Sequence, residues 1–380
     1  MINQFDIKPN STRYLSLDVL RGLTVALMIV VNTPGNWGAI YAPFKHAAWH
    51  GFTITDLVFP TFLFVVGNAI SFSIRKLKDA GDTAFLLKIF KRTLIIFGIG
   101  LFLNYFPFIE YNNGELVFKN ILNLRIWGVL QRIAVCYFIG SLIVYYFNTR
   151  GAIAISVIFL LAYWAILYYF GTAGDPYSLE GNAVTPVDLA LLPAKNLYQG
   201  FGISFDPEGF LSTFPAVVNV VLGFLAGKFI KEAGNNISTV SKLAGTGILM
   251  LIVAQIWDTY FPINKPIWTS SYVLYTVGWD LLIISVLMLV IEIFSIKKWT
   301  YFFEVFGKNP LFIFALSGML IRLIYLIRIE AVPLGSIIYT NLFVSWLEDK
   351  NASLLFAITY MLLLWLIGYV MDKRKIYIKV

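Results

Sequence analysis

Long apolar blocks separated by short polar ones run the length of this chain. Ten of them approach the roughly 17 to 25 residues that cross a bilayer as a helix: 15–31, 57–74, 89–107, 126–147, 152–170, 210–230, 243–257, 272–294, 310–327 and 353–371. A shorter block, 334–347, is broken by Asn341 and framed by Pro333 and Glu348-Asp349-Lys350, and reads as an interfacial or re-entrant helix. The pattern predicts an all-α, polytopic integral membrane helix bundle of about ten transmembrane helices, forming one domain over 1–380. A polar hinge at 32–55 joins the first two blocks, and the longest stretch without a helical pattern is 171–208.

Composition agrees with that pattern. Hydrophobic residues make up 59% of 380 and charged residues 13%, with a mean hydropathy of +0.77, which is the profile of repeated membrane spans rather than one soluble core. The formal charge of +8 therefore bears on membrane topology, and nucleic acid is not expected as a partner. The single cysteine, Cys136, lies within an apolar block, which excludes an intramolecular disulfide and a cysteine-based metal site. The first block follows Asp6, Lys8 and Arg13 with no small-residue cleavage signal after it, so it is expected to be retained.

Loop charge sets the orientation. With ten spans and a cytoplasmic N-terminus, 20 of the 29 basic residues fall on the inner side, among them Lys8, Arg13, Arg75, Lys78, Arg150, Lys228, Lys308 and Lys379. The positive-inside rule then makes both termini cytoplasmic. The hinge with the two histidines of the chain, His46 and His50, faces outward, as do 171–208 and 258–271, which are rich in Pro, Gly, Trp and Tyr. A long structured outer loop either covers a site or rests on headgroups. No internal repeat is visible, which argues against transporter folds built from duplicated halves.

Several polar residues are costly where they stand, because a charge at mid-bilayer costs about 2.5 to 3.5 kcal/mol. Asp18 and Arg21 share a helix face, so they pair with each other or Arg21 holds phosphate on the inner side. Asp56 opens the second block after Thr53 and Thr55, where a carboxylate suits a helix N-terminus. Pro60 gives no hydrogen bond to the Asp56 carbonyl, so the helix is expected to loosen there. Asp56 is also placed to orient an imidazole from the hinge. His46 and His50, four apart, are a two-ligand set that no third ligand completes, so no metal is expected. Trp49 between them fits a substrate wall or an interfacial aromatic belt. Gln131 and Arg132 are adjacent in the fourth block, suited to a polar or anionic acceptor or to snorkelling. Asp280 is too deep to reach water and must be paired, protonated or facing a cavity. Lys308 and Asn309 stand at the inner mouth of the ninth block, as phosphate contacts or as positive-inside residues.

The segments SLDVLRGLTVALMIVVN, FKHAAWHGFTITDLVFPTFLFVVGNAISFS, RIWGVLQRIAVCYF, FDPEGFLSTFPAVVNVVLGFLAGK, NKPIWTSSYVLYTVG and GKNPLFIF together resemble the heparan-alpha-glucosaminide N-acetyltransferase family of transmembrane acyltransferases. They resemble in particular its small bacterial members. The resemblance implies transfer of an acetyl group from cytoplasmic acetyl-CoA, used as co-substrate, to an amino sugar of the glucosamine type on the outer side. It implies His46 as the catalytic imidazole, with Asp56 and Asn32 in support. The CoA nucleotide is then expected near Arg21, Lys308 and Asn309, and the acceptor near Trp49, His50, Gln131 and Arg132. His50 departs from the lysosomal members, which carry Asn there. The expected location is the plasma membrane, or the inner membrane of a bacterium, and a homodimer is left open. The alternative from a different class is a transporter or flippase of a sugar or lipid-linked precursor.

Overall fold

The computed structural model describes residues 14–378, so Lys8, Arg13 and Lys379 of the charge argument lie outside the described residues. Each of the ten apolar blocks falls on helix: α1 (Leu15–Asn32), α2 (Ile54–Asp79), α3 (Asp82–Tyr105), α4 (Val129–Tyr146) and α5 (Thr149–Phe170), then, after the short α6 (Val184–Leu191), α7 (Thr213–Ala233), α8 (Ile237–Asp258) and α9 (Ser270–Leu287). The last helices are α10 (Thr300–Lys308), α11 (Pro310–Leu326), α12 (Leu334–Tyr339) and α13 (Asp349–Lys373). Eight helices among the described residues are long and apolar enough to cross a membrane, and nine if the bent pair α10–α11 counts as one span. The count of about ten is reached only with α3, whose first turns carry Lys88, Lys91 and Arg92. The chain is an all-α, multi-pass membrane protein.

Contacts between helix ends show how the long helices alternate. At one end Tyr14 reaches the Ile230 carbonyl, Ser16 reaches Glu292, Tyr145 reaches Asp82 and Lys308 reaches Asp372. At the other, the backbone of Asn36 meets Ser353, Asn104 meets Arg125 and Ile126 meets Asn196. The first and last described helices thus begin and finish at the same end of the bundle. The seam between α2 and α7 is drawn tight by glycine: a Cβ on Gly67 would lie 1.9 Å from the Val220 carbonyl oxygen, and one on Gly223 would lie 2.1 Å from that of Phe64. Aliphatic and aromatic side chains of α2, α3, α4 and α7 fill the main core.

Three features differ from the sequence expectation. The connection 171–208 is not free of helix, because the Asn182 side chain accepts from the backbone N–H groups of Val184 and Thr185, each at 3.1 Å, and so caps α6. A small antiparallel hairpin, Ile109–Asn112 with Glu115–Phe118, interrupts the helical pattern between α3 and α4. The ninth block is only the second arm of a helix pair bent by 83°, since Pro310 has no N–H to continue the ladder of α10. The block at 334–347 forms α12 and a π-helical turn, Thr340–Val344, and is too short to span.

Candidate functional site

The hinge between α1 and α2 is irregular apart from one 3-10 turn, Ala42–Phe44, and Asp56 in the first turn of α2 organises it. The Oδ2 of Asp56 accepts from the backbone N–H groups of Ala47 and Thr53, each at 3.1 Å, and lies 3.0 Å from the Thr53 hydroxyl. That hydroxyl is also 2.6 Å from the Lys45 carbonyl, so its single proton serves one acceptor at a time. Oδ1 lies 2.6 Å from Nδ1 of His46 and 3.6 Å from Nζ of Lys265. The carboxylate is 1% exposed, whereas the His46 side chain is half exposed. A buried carboxylate this close to Nδ1 favours the ring proton there, and in the neutral imidazole with that tautomer Nε2 carries the free lone pair.

Pro60 has a specific consequence. Lacking an N–H, it leaves the Asp56 carbonyl without its helical donor, and the Tyr272 hydroxyl of α9 donates to that oxygen at 2.6 Å. Five residues on from Asp56, the Thr61 hydroxyl lies 2.5 Å from Oδ1 of Asp280, which gives that deep carboxylate its partner. The start of α2 is thereby pinned to α9 from two heights.

His46, Asp56, Asn32 and Lys265 line one cavity of about 510 Å³. Its inner part is apolar, walled by Met28, Phe62, Ile133 and Phe314, and its mouth is polar, with Arg125 and Glu208 beside Lys265. Burial pushes Lys265 below the usual lysine range while Asp56 and Glu208 pull it back up. Arg125 is locked by a fork on Asp206 at 2.9 and 2.7 Å and by Glu208 at 2.5 Å, which ties the approach to α4 to the 171–212 loop over the cavity. Gln131 lines a second cavity of about 300 Å³, which shares Asn32, Arg125 and Leu130 with the first.

The other sequence-predicted residues sit elsewhere. Trp49 donates from Nε1 to the Tyr177 carbonyl at 2.8 Å and packs edge-on against Phe201 and Phe205, fastening the hinge to the 171–212 loop. His50 Nδ1 is 3.3 Å from the amide of Asn264. Arg132 is buried behind the cavity, bonded to the Gly209 carbonyl at 3.1 Å and to the Ser212 hydroxyl, with its guanidinium over the Trp268 ring. Arg21, Lys308 and Asn309 meet at the opposite end of the bundle: Arg21 contacts Asp18 and the Gly307 carbonyl, each at 3.4 Å, and Lys308 holds Asp372 at 2.8 Å. Both ends of the Asn309 amide are taken by the backbone of Ile376 and Ile378. None of these three lines the His46 cavity.

Lys265, Tyr272, Arg125 and Glu208 were not assigned roles from the sequence. The only signal was for Tyr272, in that Pro60 demands some donor for the Asp56 carbonyl; nothing local says which.

The sequence profile described as heparan-alpha-glucosaminide N-acetyltransferase, catalytic, matches residues 13–257, well over half of the chain and inclusive of Asn32, His46 and Asp56. The chain belongs to this family. Heparan-alpha-glucosaminide N-acetyltransferase of Homo sapiens is 28% identical over 355 residues, covering 80% of this chain and 52% of the relative. That of Mus musculus is 26% identical over 360 residues, covering 81% and 53%. The chain thus spans about half the length of the curated relatives it matches. The family's name is that of an N-acetyltransferase, an acyltransferase, and within the stretch the family profile covers, the described structure places the imidazole, its carboxylate and Asn32 around one cavity.

One member of the 171–212 loop is expected to make the enclosure pH-dependent. Asp188 of α6 is buried against Gly209, where a Cβ would fall 1.7 Å from Oδ2, and burial pushes its carboxyl up to about 6 although the Phe210 N–H bonded to Oδ1 lowers it. A carboxyl raised in the folded state stabilises that state most below its unfolded value, near 4, and loses the contribution as pH rises through about 6. Proteolysis of the 171–212 loop is therefore expected to quicken between pH 5 and 7 (about a unit either side of that value), and Asp188→Asn to flatten the profile. An unchanged profile in the variant would contradict this.

Proposed function

We propose that this protein transfers an acetyl group from acetyl-CoA, approaching from the basic end of the bundle, to the amine of a glucosamine-type sugar at the hinge end. The observation that carries the proposal is the His46–Asp56–Lys265 constellation at the polar mouth of a cavity with an apolar interior. The interior suits the thin acyl-pantetheine arm, and the mouth suits a polar saccharide.

The chemistry follows from the proton on Nδ1. An ammonium has no lone pair to attack a thioester, so the sugar amine reacts in its neutral form, and Nε2 of His46 is the free base that takes one N–H proton as the new bond forms. The nitrogen lone pair forms the new N–C bond at the carbonyl carbon, and the oxygen carries the developing negative charge. Asn32, lining the same cavity, supplies an amide N–H for that charge. Collapse breaks the C–S bond, and the proton on Nε2 passes to sulfur, leaving CoA thiol and the N-acetyl sugar. Asp56 keeps Nδ1–H in place and balances the imidazolium while it exists. Lys265, sharing Oδ1 of Asp56 with the imidazole, keeps the carboxylate ionised through the cycle.

The test is direct. Purified protein in detergent with radiolabelled acetyl-CoA and glucosamine is expected to yield labelled N-acetylglucosamine. No labelled product across a panel of amino sugars, combined with saccharide counterflow in vesicles, would favour a transporter instead.

A further inference from the structure

We propose that the cavity enclosed by the far ends of α2, α4, α7 and the start of α5 binds the phosphate of an anionic membrane lipid. This cavity, of about 870 Å³, shares no lining residue with the one at His46. Arg75 lies about 28 Å along α2 from Asp56 at ~1.5 Å per residue. The close-packed glycine seam of α2 and α7 stands between the two, so this inference does not depend on the acetyl-transfer reading.

The cavity is lined by Arg75, Lys78, Arg150, Lys228 and Lys231 against two carboxylates, Asp79 and Glu232. The compensation is slight: Glu232 is 3.9 Å from Lys228, whose ammonium is bonded to the Thr149 hydroxyl at 2.8 Å. Among the described residues Arg75 and Arg150 have no hydrogen bond or ion pair. Lys308, at the same end of the bundle, is instead closed on Asp372. The α2–α4–α5–α7 cavity thus presents open positive charge around a concave space. Arg150 also stands in the first turn of α5, where the helix dipole favours an anion.

The wall beneath the cations selects the source of the phosphate. Val144, Phe147, Phe224 and Leu225 line the same space, and Phe147 is 51% exposed beside the equally exposed Tyr146, which gives an apolar flank facing the lipid side of the helices. A soluble phosphate needs no such flank. A phospholipid does, with acyl chains along it and the headgroup among the cations.

The experiment uses the full chain in nanodiscs of phosphatidylcholine doped with phosphatidylglycerol, with bound lipid counted by native mass spectrometry. Wild type is expected to retain phosphatidylglycerol preferentially. Arg75→Gln with Arg150→Gln is expected to weaken retention by roughly 30-fold, given the usual contribution of each basic residue near a membrane surface. Lys297→Gln with Lys298→Gln, the same charge loss elsewhere at this end, is expected to leave it unchanged. Equal loss in both double variants would reduce the effect to bulk charge and overturn the proposal. So would the absence of any preference for the anionic lipid, or its ready displacement by adenosine 3′,5′-bisphosphate, which would assign the cavity to a soluble nucleotide.

Discussion

His46→Ala is expected to lower acetyl transfer on the order of 10²- to 10⁴-fold, the usual contribution of a positioned general base, while leaving the fold intact. The side chain is half exposed, and without it Asp56 keeps its bonds to Ala47 and Thr53 and its proximity to Lys265. Initial rates with acetyl-CoA and glucosamine, paired with melting curves in the same detergent, check both halves. A variant that melts as wild type and transfers within a few-fold of it would remove the imidazole from the mechanism.

Asp56 is expected to show a split that no purely structural residue would show. Asp56→Ala removes the acceptor for the whole hinge and leaves the Ala47 and Thr53 N–H groups without their partner, a loss of about 1–3 kcal/mol for each group left unsatisfied, so stability and activity should fall together. Asp56→Asn keeps the shape and an acceptor for the Thr53 and Ala47 N–H groups. Its amide, however, can donate to Nδ1, which moves the imidazole proton to Nε2 and removes the free base. In hydrolases built on such a pair this exchange costs on the order of 10⁴ in turnover. The expected outcome is a near-native melting temperature for Asp56→Asn with turnover reduced nearly as far as in His46→Ala. Equal loss of stability in Asn and Ala variants, with turnover following stability, would mean that the carboxylate only caps the helix.

Much of this was legible in the sequence because hydropathy over long blocks is a local property. Every apolar block proved helical, and the ten positions separating His46 from Asp56 were few enough for a hinge to bring them together. The break at Asn309–Pro310 was harder to see: proline at the first position of a helix is ordinary, and its missing N–H permits a turn whose direction follows from the packing of α10 against α1, where a Cβ on Gly22 would lie 1.7 Å from the Phe303 carbonyl oxygen.

The site was legible only where its residues are neighbours in the chain. Lys265 reaches His46 across 219 positions, and Arg125 meets Asp206 across 81, distances over which one sequence carries no signal of contact. Trp49 and Arg132 had the chemistry of acceptor contacts, yet Trp49 fastens the hinge to the 171–212 loop and Arg132 is buried against Gly209, Ser212 and Trp268. Residue type at a membrane edge does not distinguish recognition from anchoring, because both need an apolar body with a polar tip.

The most direct test of the central claim, donor from one face and acceptor beside His46 at the other, is transfer across a sealed bilayer. Protein reconstituted in one orientation receives labelled acetyl-CoA at the end bearing Lys308 and glucosamine only on the hinge side. Labelled N-acetylglucosamine should accumulate on the hinge side, and His46→Ala should abolish it. Product formed only when both reactants share a compartment would contradict the account.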